Sequence, residues 1–205
     1  MTINHQEAEA FNALHKVMNE YSPISDSTWR RLKIGSAFRC VPKHHILYPC
    51  SEILHSFSFA FSGLFRVYIS DEKGNEYNKN FFEEDSFPGS MSALLTASPS
   101  KFSIQSLEPS CIIEIDFKIY RSLLIELDDL KLFHIHYLEK NWLLAKDARE
   151  VELVQENATQ RYQRFLKEYP RLNSRISQFH IASHLGITPT QLSRIRKKIE
   201  AKLNV

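Results

Sequence analysis

The chain has 205 residues, 43% of them hydrophobic and 24% charged, with a formal net charge of +2 at pH 7. That length suffices for one large domain or two modest ones, and the composition is that of an ordinary folded soluble protein. No apolar run approaches the roughly 20 residues needed to cross a bilayer, and MTINHQEAEAF lacks the basic start and apolar core of a secretory signal, so no membrane contact and a cytoplasmic location are expected. Cys40, Cys50 and Cys111 are odd in number and widely spaced, which points to reduced thiols rather than a disulfide framework or a C-x-x-C metal site.

Residues 7–33 carry helical spacing at Phe11, Leu14, Val17 and Met18, then a second short helix around Trp29 and Leu32. From Ser36 to Asp116 the period falls to two. Phe57, Phe59 and Phe61 alternate with Ser56, Ser58 and Ser62. Val67 and Ile69, Phe81-Phe82 and Cys111 to Ile115 read as further strands, and 71–75 as a turn. Short, regular strands predict a compact β roll or barrel.

After Asp116 helical spacing returns. Leu130, Tyr137, Leu144, Val151 and Ala158 fall on a strict seven-residue repeat, with His134, Asn141 and Gln155 making the seam partly polar. A helix of about 30 residues, about 45 Å at 1.5 Å per residue, outreaches one small roll. Two arrangements bury its stripe: packing on its own domain, or pairing with the same helix of a second subunit through Leu130, Tyr137, Leu144 and Val151. The second is preferred. Tyr169-Pro170 then breaks the chain.

Residues 180–199, HIASHLGITPTQLSRIRKKI, predict two short helices around Gly186. Thr188 is the N-cap, Pro189 the first helical residue, and Gln191 closes a T-x-x-Q capping box. Leu192, Ile195 and Ile199 form an apolar stripe, while Thr190, Ser193, Arg194 and Lys197 lie opposite. An arginine matches the O6/N7 edge of guanine, and Lys197 and Lys198 suit phosphates. A helical hairpin can equally be plain packing. The charge distribution favours DNA: residues 157–205 hold 10 Lys/Arg and 2 Asp/Glu, against 16 and 22 in the rest of the chain.

With these elements in order, the sequence resembles the Crp/Fnr superfamily of bacterial transcription regulators. Gly63-Leu64-Phe65-Arg66 followed by Gly74-Asn75-Glu76 is similar to the family's G-x-x-R and G-x-E roll signature, and the 180–199 hairpin to its DNA reader. The resemblance implies an α+β chain with three regions. Residues 1–118 would form a cyclic-nucleotide-binding-like β roll (a double-stranded jelly roll) with N-terminal helices. Residues 119–158 would supply a long dimerisation helix, and 159–205 a helix-turn-helix domain. It implies a homodimer on a roughly palindromic double-stranded DNA site, with half-sites about one helical turn apart, and it allows RNA polymerase as a further partner. Thr188, Thr190, Gln191, Ser193, Arg194, Lys197 and Lys198 are the candidate DNA-binding residues, Arg194 matching the base-reading arginine. Pro189 and Thr190 depart from the family's usual Arg and Glu, which implies a different operator. Val205 follows soon after the reader, so the family's β-wing is expected to be minimal, with Arg161, Arg164, Arg171 and Arg175 as additional phosphate contacts.

Members that bind cyclic nucleotides carry F-G-E and, some ten residues on, R-[ST]-A. Here Phe87, Gly89, Ser90, Met91 and Ser92, then Ser100 and Lys101, occupy the cassette. Ser90 replaces the carboxylate, and Ser100 or Lys101 stands where the arginine belongs. Each lost charged hydrogen bond is worth about 1.5–3 kcal/mol, so cAMP and cGMP are expected to bind weakly or not at all. Either the pocket takes another small molecule or the roll is a scaffold. No cofactor and no catalytic or metal site is expected: His134-Ile135-His136 lies in the helical-period region, where i, i+2 side chains diverge, and His180 and His184 have no acidic or cysteine partner in register. The competing reading is a ligand-sensing or protein-interaction module of the same fold that does not bind DNA.

Overall fold

The computed structural model describes residues 3–144, 146 and 156–203. These fall into two compact units, one of residues 1–67 with 81–146, the other of residues 68–80 with 147–205. The first begins with α1 (Ile3–Tyr21) and α2 (Asp26–Ile34), both placed where the 3.6-residue spacing predicts them. The roll strands follow in chain order: β1 (Ser36–Val41), β2 (Ile46–Tyr48), β3 (Ser56–Ser62), β4 (Phe65–Ser70), β5 (Glu76–Phe82), β6 (Ser103–Ser106) and β7 (Ser110–Asp116), the residues of β4 and β5 between 68 and 80 being counted with the second unit. Between β5 and β6 lies the short α3 (Met91–Thr96). After β7 come α4 (Phe117–Glu126) and α5 (Asp128–Leu138), prolonged by a single π turn at Glu139–Leu143.

The strands form two sheets, β1-β7-β3 and β2-β6-β4-β5. β7 pairs antiparallel with both β1 and β3, and a register shift between Ala60 and Ser62 leaves Phe61 bulged. The alternation in β3 sorts its two faces. Ser58 and Ala60 are fully buried, and the Ser58 hydroxyl lies 2.7 Å from the Tyr48 hydroxyl of the other sheet. Burial pushes the Tyr48 phenol up to about 12, the Ser58 hydrogen bond opposing it in part. The opposite face meets helices and loops: Phe57 stands edge-on to Tyr120 of α4 at 5.0 Å, and Phe59 tilts against Phe87 at 5.4 Å. Ser58 therefore faces not solvent but the narrow space between the sheets, while Ser56 and Ser62 at the strand ends are half-buried.

The roll signature is a pair of backbone devices. Gly63 has φ +101°, its N–H donates to Glu84 Oε1 at 3.0 Å, and an added Cβ would overlap Ser110. Arg66 is buried, with Nε and Nη2 donating to Gln105 Oε1 at 2.9 and 2.7 Å. Gly74 (φ +81°) closes the β4–β5 turn, which Asp71 ties by accepting the N–H groups of Lys73 and Asn75.

Three expectations are corrected. Cys40 and Cys111 are directly opposed in the β1–β7 register and form a disulfide, leaving Cys50 free and exposed. Parity and spacing could not show this, because the partners are 71 residues apart and only strand register unites them. The helix predicted through Ala158 is not continuous. Asn157 is extended (φ −79°, ψ 169°) and caps a new helix, accepting from Thr159 and Gln160 while Gln160 Oε1 accepts the Asn157 N–H. The seven-residue repeat is also not one exposed seam. Leu130 is 0% exposed and turned into its own unit, while Tyr137 is half-buried against Phe87 and Phe133. Leu144 is exposed, and Val151 lies outside the described residues.

Asp129 stitches the N-terminal helices to α5. Its Oδ2 accepts the Ser25 N–H (2.9 Å), and Oδ1 accepts the Thr28 hydroxyl (2.8 Å) and the Leu130 N–H (2.9 Å). Partial burial raises its pKa, but the hydrogen bonds from Ser25, Thr28 and Leu130 outweigh that and hold it below the ordinary aspartate value. Asp129→Asn should lower stability at neutral pH by no more than about 1 kcal/mol, since solvent screens a carboxylate this exposed. A depressed folded-state pKa stabilises above the unfolded value of about 3.9 and loses that contribution as pH falls through the folded value. Urea midpoints measured across acid pH should converge for wild type and variant; a gap that persists at the acid end would show that charge is not the cause.

Candidate DNA-reading helix and apolar pocket

The second unit holds α6 (Ala158–Glu168), α7 (Leu172–Arg175), α8 (Gln178–Leu185) and α9 (Pro189–Leu203). Ser177 caps α8, its hydroxyl accepting the His180 N–H. Gly186 ends α8 in the left-handed region (φ 65°, ψ 34°). The N–H groups of Gly186 and Ile187 return to the carbonyls of Ser183 (3.3 Å) and Ala182 (3.0 Å). Two residues later Thr188 Oγ1 accepts the Gln191 N–H at 3.1 Å, while Gln191 Oε1 accepts the Thr188 N–H at 2.9 Å. The turn and the reciprocal cap set the start of α9.

Ile181, Ala182, Leu185, Phe165, Leu172 and Leu192 are buried and hold α9 on its neighbours. Burial of each large aliphatic side chain contributes about 1.5–3 kcal/mol. The remaining side of α9 is open. Thr190, Arg194, Lys197 and Lys198 are exposed and Ser193 is half-buried, four of them on one face at i, i+3, i+4 and i+7. Thr188 and Gln191 are exposed too, but their side-chain oxygens are engaged in the cap. Arg164 pairs with Glu156 (3.0 Å) and Glu168 (3.3 Å), and the Arg161 guanidinium donates to the Glu156 carbonyl at 3.1 Å. With His184, Leu185 and Gly186 these arginines bound a polar cavity of about 320 Å³.

One set of contacts in this unit had no signal in the sequence. The Ser183 hydroxyl accepts the Asn78 N–H and donates to the Glu76 carbonyl, both at 2.9 Å. The buried Asn78 amide donates to the His180 carbonyl at 3.1 Å and approaches His180 Nδ1 at 3.2 Å. The Tyr169 hydroxyl donates to Asn80 Oδ1 at 2.8 Å. His180 and His184 thus face the 76–80 strand segment.

In the first unit the cassette residues separate. Phe87, Gly89 and Met91 line an apolar cavity together with Phe57 of β3. Ser90 is buried at the start of α3, and Ser92 is exposed. Ser100 is buried with its hydroxyl donating to the Phe102 carbonyl at 2.7 Å, while Lys101 is exposed. Neither Ser100 nor Lys101 lines the cavity. Its other walls come from Tyr120 of α4, from Phe133, His134, Tyr137 and Leu138 of α5, and from Trp142 of the π turn, which is also exposed to solvent. The Tyr120 hydroxyl lies 3.1 Å from His134 Nδ1. Burial, aided by Arg121, holds the His134 pKa below the ordinary imidazole value, and burial raises Tyr120 and Tyr137, so the lining is uncharged at neutral pH. His136 is satisfied separately by the Tyr21 carbonyl at 2.9 Å. Among the described residues no cluster of three His, Cys, Asp or Glu could hold a metal, and no helix is long and apolar enough to cross a membrane.

A two-sheet β roll with flanking helices and a C-terminal pair of helices around a glycine turn define the fold class. No protein-family model matches the sequence, and no curated protein matches it. Solved structures do share the fold. The c-di-GMP-responsive global regulator CLP of Xanthomonas campestris is 16% identical, with 87% of this chain and 93% of that one covered at a TM-score of 0.67. FixK2 from Bradyrhizobium japonicum is 14% identical over 82% and 85%, at 0.68. A cyclic-nucleotide-binding-type protein from Ruegeria pomeroyi is 19% identical over 98% and 89%, at 0.63.

Proposed function

We propose that this chain is a sequence-specific DNA-binding regulator that acts as a homodimer and reads a near-palindromic site with α9. The observation that carries this reading is the exposed Thr190, Ser193, Arg194, Lys197 face, held by a glycine turn and a reciprocal cap on a buried core. Its spacing fits a helix lying in a major groove, with phosphate contacts from Lys197 and Lys198.

Pairing uses a different stripe from the seven-residue repeat. Leu132 and Ile135 of α5 and Leu143 of the π turn are 48%, 47% and 58% exposed and project from one side, opposite the Leu130 and Phe133 side that meets the roll. A second copy of α5 would remove this apolar surface from water. The effector cassette supports the companion statement that cAMP and cGMP bind weakly, because neither cassette position supplies a charge to the cavity that Phe87, Gly89 and Met91 line.

Selection of bound sequences from random duplex DNA, followed by footprinting across a salt series, tests the reading. The expected result is a near-palindrome with two protected major-groove segments about one helical turn apart, and affinity falling steeply with salt. Enrichment of no sequence, or binding insensitive to salt, would instead support an interaction module that uses the same fold without DNA.

A further inference from the structure

The cavity between β3 and the helices lies on the far side of the sheet from the Ser58–Tyr48 space. We propose that it is a binding site for a small neutral aromatic molecule, one ring in size with a single hydroxyl or N–H group, which enters by displacing the Trp142 indole.

Three observations carry this. The first is charge. The lining has aromatic, aliphatic and thioether side chains and no acidic, lysine or arginine side chain. An ion entering such a site loses its hydration with nothing to replace it, whereas a neutral ring loses little. The second is shape. Phe57 stands edge-on to Tyr120 at 5.0 Å, and Phe87 edge-on to Tyr137 at 5.2 Å, so ring faces and edges already surround the space. The Tyr120–His134 pair places one polar group among them, and the Tyr137 hydroxyl, now hydrogen-bonded to the Trp142 side chain, would be freed to meet the hydroxyl or N–H of an occupant that replaces the indole. Gly89 keeps the floor narrow, since a Cβ there would approach Phe57 Cβ to 2.7 Å.

The third observation is the mouth. The closed cavity is about 30 Å³, room for about one water, so a ring fits only after a side chain leaves. Trp142 is the side chain placed to leave. It is 47% exposed and sits on the π turn, where the widened helical ladder weakens the local backbone. Its indole is itself a ring bearing one N–H, the chemistry proposed for the occupant. The same π turn carries Leu143 of the proposed pairing stripe, so occupancy would bear directly on dimer pairing. That consequence rests on the proposed regulator function; the binding event does not.

Titration of the full chain with phenol, followed by tryptophan emission, tests it without DNA. Phenol should give a saturable change that is absent in Trp142→Phe. Benzoate and cAMP should bind at least about 10-fold more weakly, the equivalent of about 1.4 kcal/mol. Met91→Trp, which fills the cavity, should abolish the phenol response. His134→Leu should weaken phenol about 10-fold and leave benzene unchanged. No saturation with phenol, binding of benzoate or cAMP as tight as that of phenol, or a phenol response that survives Met91→Trp would each overturn the assignment. None of these results bears on the footprint, so failure of the site and failure of the DNA-binding reading are separable.

Discussion

Gly63→Ala should destabilise the roll unit by about 3 kcal/mol or more, the largest single effect expected for a change of one methyl group in this chain. Two penalties act together. The backbone at φ +101° lies where an L side chain is strained, and the added Cβ would collide with Ser110 Oγ and Cβ and stand 2.7 Å from the Ser110 Cα. Ser110 cannot step aside cheaply. It is buried, its hydroxyl donates to the Glu108 carbonyl at 2.8 Å, and it pairs with Val41 at the end of the β1–β7 ladder. Gly74→Ala is the matched control, since φ is +81° but no atom lies within 4 Å of the new Cβ; it should cost only about 1 kcal/mol. Both tryptophans, Trp29 and Trp142, belong to the unit that holds Gly63 while Gly74 lies in the other, so urea unfolding of the two variants is compared by far-UV circular dichroism of the full chain. Adding Ser110→Gly should recover only part of the loss, because the remaining obstacle is the backbone Cα. Equal effects of Gly63→Ala and Gly74→Ala, or full recovery by Ser110→Gly, would refute this account.

Arg194→Ala should lower affinity for the selected duplex by about 1–3 kcal/mol, roughly 5- to 150-fold, and relax choice at one base position. Arg194 is exposed at the centre of the open face of α9, one turn beyond Thr190 and just before Lys197. A guanidinium there can make a bidentate pair with a guanine edge, whereas an ammonium cannot, so Arg194→Lys should recover little. Lys197→Ala should behave differently, weakening all sequences alike and reducing the salt slope by about one unit. Fluorescence anisotropy on the selected site and on single-base variants separates the two patterns. A uniform loss on Arg194→Ala, with base preference unchanged, would reassign Arg194 to the phosphate backbone. Retained affinity would remove α9 from the groove.

How much of this was legible before any coordinates depends on distance along the chain. The Thr188–Gln191 cap, the Gly186 turn and the buried Leu192 follow from residues within one or two turns of each other, and they stand where the sequence places them. Capping and left-handed turns are local chemistry, so four or five residues carry the whole instruction. Gly74 was legible for the same reason, within the 71–75 turn, whereas Gly63 came only with the family signature, and its close neighbour Ser110 is distant in sequence. The α5 stripe was not. Leu130, Phe133 and Tyr137 repeat at i, i+3 and i+7, while Leu132, Ile135 and Leu143 offer a second apolar face, and periodicity cannot say which meets the roll. A seven-residue repeat also drifts by about 20° per heptad on a straight helix, which weakens any assignment of one face from spacing alone.

The apolar cavity was half legible. Phe87, Gly89 and Met91 were in the candidate cassette, but Tyr120, His134 and Trp142 reach it from two later segments, and Ser100 and Lys101 do not reach it. Alternation of Phe and Ser in β3 gave the two faces, yet not what covers each. By itself the sequence determined the element types, the C-terminal hairpin, its cap and its charge. The tertiary structure decided the rest: the Cys40–Cys111 bond, the side of α5 turned to the roll, and the uncharged walls of the cavity. The physical reason is the range of the forces involved. Caps and turns are satisfied within a few residues, whereas strand register and burial are settled only when segments 70 or more residues apart compete for the same partner.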